Sequence, residues 1–154
     1  MAASLTALQR KSRQRRTRPI QRVVQQTGTS CGVACVAMLA RLSFRDAHRL
    51  AHEVLKKKRK QSNQRTYPEH LRAMLKPLGL RLGRQVKCRT WRKVPPDSLV
   101  AVQWNRAKGT WHWVVSGHDA KGLFFFDPRK NVKDIRRRAF EKARPSWYHR
   151  VVRQ

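Results

Sequence analysis

Gln25-Gln26-Thr27-Gly28-Thr29-Ser30-Cys31-Gly32, running into the apolar stretch Val33–Ala40, is the segment whose reading decides the fold. Ser30 is a good helix N-cap, and Val33, Val36, Ala37 and Ala40 recur at helical spacing. The pattern therefore predicts a helix over Cys31–Leu42. It puts a thiol at a helix N-terminus. A thiol reacts as the thiolate, and both a helix N-terminus and a neighbouring imidazolium lower its pKa.

Two later stretches supply partners for that sulfur. Trp111-His112-Trp113-Val114-Val115 and Phe124-Phe125-Phe126-Asp127-Pro128 both read as strands. Gly117–Lys121 lies between them, so they form a hairpin carrying His112 and Asp127. In such a constellation His112 pairs with the thiolate and later protonates the leaving group. Asp127 holds the imidazole by its other nitrogen. Gln25, six residues before Cys31, can donate an amide hydrogen bond to a developing oxyanion, with the Cys31 N–H as second donor. Taken singly, each residue has an ordinary structural reading. Free cysteine is often core. A histidine between two tryptophans fits a satisfied strand position, Asp before Pro is common turn chemistry, and Gln26 offers the same amide as Gln25.

Together the residues resemble the papain-like cysteine peptidases, in particular the family that trims double-glycine leader peptides during bacteriocin export. That family's glutamine precedes its cysteine at the spacing of Gln25 here, which favours Gln25 over Gln26. Its cysteine is followed by Gly and a small apolar helix, as at Cys31-Gly32. Its histidine opens a hydrophobic strand like His112-Trp113-Val114-Val115, and its acid stands in a pair like Asp127-Pro128, here fifteen residues on. The likeness runs from Gln25 to Asp127, and to the end of the sequence if Trp147–Arg153 is a closing strand. One position departs: many members carry Asp directly before the cysteine, where this sequence has Ser30. No ATPase or membrane region follows, so the resemblance is to a stand-alone domain. It implies a papain-like α+β fold, catalysis by Cys31, His112 and Asp127 with Gln25 at the oxyanion, an acyl-enzyme intermediate, and a protein or peptide substrate. Papain-like scaffolds also run deamidation and acyl transfer with the same groups.

Other constellations are weaker. Cys31 and Cys35 lie four apart, but a structural zinc site wants two such pairs, and Cys88 stands alone. His48, His52 and Glu53 do not follow the order of the zinc-protease motifs. Nothing in the sequence calls for a cofactor. With 154 residues the chain fits one domain with a real core. Three cysteines rule out a full disulfide framework and suit a reducing compartment such as the cytoplasm. The eight-residue run Val33–Ala40 is too short to span a bilayer.

Charge is the other informative property. Thirty-seven Lys and Arg against eight Asp and Glu give +29, and no acid precedes Asp46. Met1–Pro19, with Arg10, Lys11, Arg13, Arg15, Arg16 and Arg18, reads as a disordered basic arm ahead of one domain over 20–154. Further clusters are Lys56–Lys60 and Arg136–Arg138. Such a field attracts polyanions, nucleic acid or acidic surfaces, and favours substrates with acidic flanks. It also admits a different class of function, a basic nucleic-acid-binding module built on an inactive peptidase scaffold.

The remaining elements follow from pattern. Ser43 caps a second helix with Phe44, Ala47, Leu50, Ala51 and Val54 inward, reaching Lys58. Gln61–Arg65 is a polar loop, and Thr66-Tyr67-Pro68-Glu69 forms a capping box for a third helix closed by Gly79. Strands are expected at Leu80–Val86, Leu99–Trp104, Trp111–Gly117, Gly122–Phe126 and Trp147–Val152, and a short helix at Ile135–Ala143. Helices first and an antiparallel sheet after them give an α+β fold, with the cleft between the two halves.

Overall fold

A computed structural model of the chain describes residues 4–55 and 65–154. The Lys56–Lys60 cluster, and the expected loop apart from Arg65, lie outside the described residues. The fold is α+β. Helices α1 (Leu5–Gln14), α2 (Cys31–Ala40), α3 (Phe44–Leu55) and α4 (Pro68–Leu75) precede the strands β1 (Leu80–Leu82), β2 (Val86–Lys87), β3 (Ser98–Asn105), β4 (Thr110–Asp119), β5 (Gly122–Phe126) and β6 (Pro145–Arg153).

α2 is the centre of the helical layer. Every residue from Gly32 to Ala40 is buried, as a helix apolar all round requires. It packs against β4, α3 and α4. Arg41 ends it in the left-handed region at φ 56°, and the Leu42 N–H then returns to the Ala37 carbonyl at 2.9 Å. Ser43 caps α3 as expected, its Oγ accepting from the Asp46 N–H at 3.1 Å.

The strands pair antiparallel in the order β1-β6-β3-β4-β5, with β2 also on β6. Alternation sorts their side chains between two cores. Leu99, Ala101, Trp113, Val115, Phe124 and Phe126 face the helices. Val100, Val102, Val114 and Phe125 join Cys88, Trp91 and Ala143 on the other side. β4 and β5 form the expected hairpin, with Val115 opposite Phe126. That register brings Asp127, just past β5, beside the segment of β4 that holds His112.

Four expectations are corrected. The opening basic segment is not a structureless arm over its whole length: α1 is capped by Ser4 Oγ on the Ala7 N–H at 3.2 Å, and Leu8 is only 2% exposed. The helix is held by distant partners that no local pattern announces. Gln9 Nε2 donates to the Pro77 carbonyl at 2.7 Å, Ser12 Oγ to the Ala40 carbonyl at 2.8 Å, and Lys11 pairs with Asp46 at 2.7 Å. The N-cap of α4 is Tyr67, whose N–H donates to His70 Nδ1 at 3.0 Å, because the Thr66 side chain is buried against Gly32 instead. The strand expected at Leu80–Val86 splits into β1 and β2 around Gly83, whose N–H reaches the Arg150 carbonyl at 2.7 Å. Ile135–Ala143 is not a helix beyond the short 3-10 turn Phe140–Lys142. Its Arg137 instead makes a two-way backbone bridge with Phe125, at 2.8 and 2.9 Å.

Candidate active site

Cys31 is the first residue of α2 and half-buried. The first N–H groups of a helix lack intrahelical acceptors, so positive potential gathers there. His112 is 8% exposed and Asp127 1%. His112 Nε2 lies 2.8 Å from Asp127 Oδ1. The imidazole and the Cys31 thiol are close enough to shift each other's titration.

Two opposed shifts follow. Burial pushes the Cys31 thiol up. The hydrogen bond and charge of His112, with the backbone N–H groups of Trp113 and Gly32, pull it further down, so the net result is below its ordinary value. Burial pushes His112 down, but hydrogen bonds to Asp127 and Cys31 and their charges lift it above its ordinary value. The other thiols behave differently: burial raises Cys35 well above the ordinary range and raises Cys88 as well. Asp127 also feels burial first, yet His112 and Arg129 hold its carboxyl at about 2.

Gln25 is 5% exposed and stands in the cleft with Cys31. Its N–H donates to the Pro128 carbonyl at 2.7 Å, and its Nε2 to the Thr27 carbonyl at 2.7 Å. One hydrogen of the amide stays free for a ligand. Oε1 is buried without a partner. The neighbouring Gln26 is exposed. Ser30 does not cap α2 through its side chain. Its Oγ turns back to accept from the N–H groups of Gln26 and Thr27 at 3.2 and 3.0 Å, so it shapes the loop between Gln25 and Cys31.

The cleft measures about 590 Å³ and opens over Cys31 and His112. Tyr67 and Trp111 form an aromatic wall, their rings 5.5 Å apart. Arg65, Arg129 and Lys130 bring positive charge, and no Asp or Glu stands among the described lining residues. One wall depends on Gly32. A Cβ there would sit 1.7 Å from Thr66 Oγ1, so only glycine lets the 65–67 segment close over the start of α2.

Sequence reasoning missed Arg22 and Arg137. Arg22 Nε donates to the Asp127 carbonyl at 2.7 Å, and its Nη2 to the carbonyls of Arg129 and Val132 at 2.6 and 2.8 Å. Arg137 Nη1 donates to Asp127 Oδ2 at 2.8 Å. A period-two reading of Arg136-Arg137-Arg138 was the available signal, since 136 and 138 both pair with Asp119 while 137 points the other way.

Two solved structures share the fold. The peptidase domain of Streptococcus ComA, a bifunctional ABC transporter of a quorum-sensing pathway, superposes with TM-score 0.60 at 19% identity, covering 88% of this chain and 99% of that one. A double glycine motif protease from an AMS/PCAT transporter, solved with its leader peptide, gives 0.58 at 15% identity, covering 90% and 96%. A search of curated proteins by sequence finds no match. The sequence itself matches the description "Peptidase C39 family" over residues 20–147. Because that match takes in the cysteine, the histidine and the aspartate and most of the remaining sequence, the chain belongs to the Peptidase C39 family.

Proposed function

We propose that the chain, a cysteine peptidase by family, cleaves its substrate through Cys31, His112 and Asp127 by way of an acyl-enzyme. The Cys31 thiolate attacks the scissile carbonyl carbon. The oxyanion receives hydrogen bonds from the Cys31 N–H and the free hydrogen of Gln25 Nε2. His112, protonated on Nδ1, gives its proton to the leaving amine, and a thioester remains. Water, deprotonated by His112, then attacks the thioester; the acid product leaves and the thiol is restored. Asp127 fixes the imidazole's orientation and tautomer throughout.

The observation that carries this reading is the buried His112–Asp127 pair at 2.8 Å, lining the same cleft as Cys31 at the start of α2. The substrate class is a peptide. Support comes from the leader peptide bound to one structural neighbour and from the open cleft. Arg65, Arg129 and Lys130 around that cleft favour acidic residues flanking the scissile bond. Incubating the protein with a peptide library and sequencing the products by mass spectrometry tests it. Cut chains are expected, and C31A should abolish them while remaining folded. Cleavage that persists in C31A, or deamidated but uncut peptides, overturns the assignment.

A further inference from the structure

We propose that Arg137 is a positioning residue: it ends a buried chain of alternating charge, Cys31–His112–Asp127–Arg137, and so sets the pH range in which the thiolate–imidazolium pair exists. The inference rests on the reading that Asp127 orients His112.

The geometry singles out this arginine. Asp127 Oδ1 is shared between His112 Nε2 at 2.8 Å and the Arg129 N–H at 3.1 Å, while Oδ2 is taken by Arg137 Nη1 at 2.8 Å. The guanidinium lies 5.6 Å over the Phe125 ring, and its side chain is 14% exposed, against 49% and 31% for Arg136 and Arg138. Burying a guanidinium is costly unless it is paired. The backbone bridge to Phe125 leaves little freedom to swing it elsewhere. Other charged groups near Asp127 are committed differently. Arg22 binds backbone carbonyls; Arg129 contacts Gln103 through its guanidinium while its charge also acts on Asp127, so it adds to the field without taking a carboxylate oxygen by its side chain; and Cys31 and Cys35 approach from α2.

Charge accounting gives the role. Thiolate, imidazolium and carboxylate together carry one net negative charge in a buried site, which is unfavourable. Arg137 brings the group to neutrality. A cation there favours the deprotonated thiol and disfavours the protonated imidazole. Its loss therefore moves both titrations upward, whereas a merely structural residue would slow the enzyme without moving either.

The test is the rate of Cys31 alkylation by iodoacetamide against pH, with the label located by mass spectrometry, in the wild type, R137M and R137K. Both inflections should rise by about one pH unit in R137M. R137K, which keeps the charge but loses the planar fork, should shift by less than about half that amount. Should R137M fail to fold, R137K decides alone: a shift of a full unit or more in it overturns the proposal. So do R137M inflections that coincide with those of the wild type. A wild-type thiol that titrates in the ordinary range, near about 8.5, instead brings down the peptidase mechanism itself. Activated wild-type Cys31 with an unmoved R137M profile removes only the role of Arg137.

Discussion

Gly32→Ala probes the joint between the nucleophile's helix and the cleft wall. The added Cβ would meet Thr66 Oγ1 at 1.7 Å, Thr66 Cβ at 3.0 Å and Leu71 Cδ2 at 3.2 Å. The hydroxyl makes no hydrogen bond, so turning it aside forfeits none. Resistance comes from the other two atoms: Thr66 is 5% exposed and Leu71 fully buried, so neither has space to retreat. The Thr66 carbonyl also accepts from Trp113 Nε1 at 2.9 Å, tying the segment to β4. Overpacking of this kind costs about 2 kcal/mol, and for a domain of this size that lowers Tm by about 6 °C. Thermal unfolding followed by circular dichroism measures it. Adding Thr66→Gly should return part of the loss, since it removes the two nearest obstacles. A G32A protein melting within a degree of the wild type, or a double variant less stable than the sum of the single changes, would refute the close-approach argument.

Acid should unfold the protein partly through Asp127. Its folded pKa of about 2 lies below the ordinary 3.8, so its contribution is complete above about pH 4 and disappears as pH falls toward 2. That is about 2 kcal/mol, read from urea unfolding at pH 5 and pH 2.5, and Asp127→Asn should flatten this part of the dependence. Leu8→Ala should cost about 2–4 kcal/mol, because Leu8 is the buried leucine by which α1 packs on the core; an effect below about half a kilocalorie would mean that α1 does not dock. Arg22→Leu strips donors from three carbonyls around Asp127, so kcat should fall by at least about tenfold while KM changes less. Equal loss in both parameters would show that Arg22 acts on substrate binding instead.

The parts legible in the sequence are those whose signal is local. α2 is apolar on every side, so its burial and the thiol at its start could be read directly. The β4–β5 hairpin announced itself by two apolar runs around Gly117–Lys121, and it brings His112 to Asp127. What escaped notice is held by long-range contacts. α1 has only Leu5 and Leu8 on its apolar side, and its remaining support comes from Pro77, Ala40 and Asp46. Arg137 stands in a cluster of three arginines, and only the extended backbone sends it inward. Ser30 was expected to cap a helix, but its hydroxyl is the nearest acceptor for two loop N–H groups, and a short side chain serves only one neighbourhood at a time.

β6 comes last in sequence yet lies inside the sheet, between β1 and β3. Until Pro145–Arg153 has been synthesised, β3 has one row of backbone groups open to water, and Trp147 is missing from its place against Trp111 and Trp113. Without β6 the sheet beneath the β4–β5 hairpin is incomplete on the β3 side, and β1 and β2 lose their partner as well.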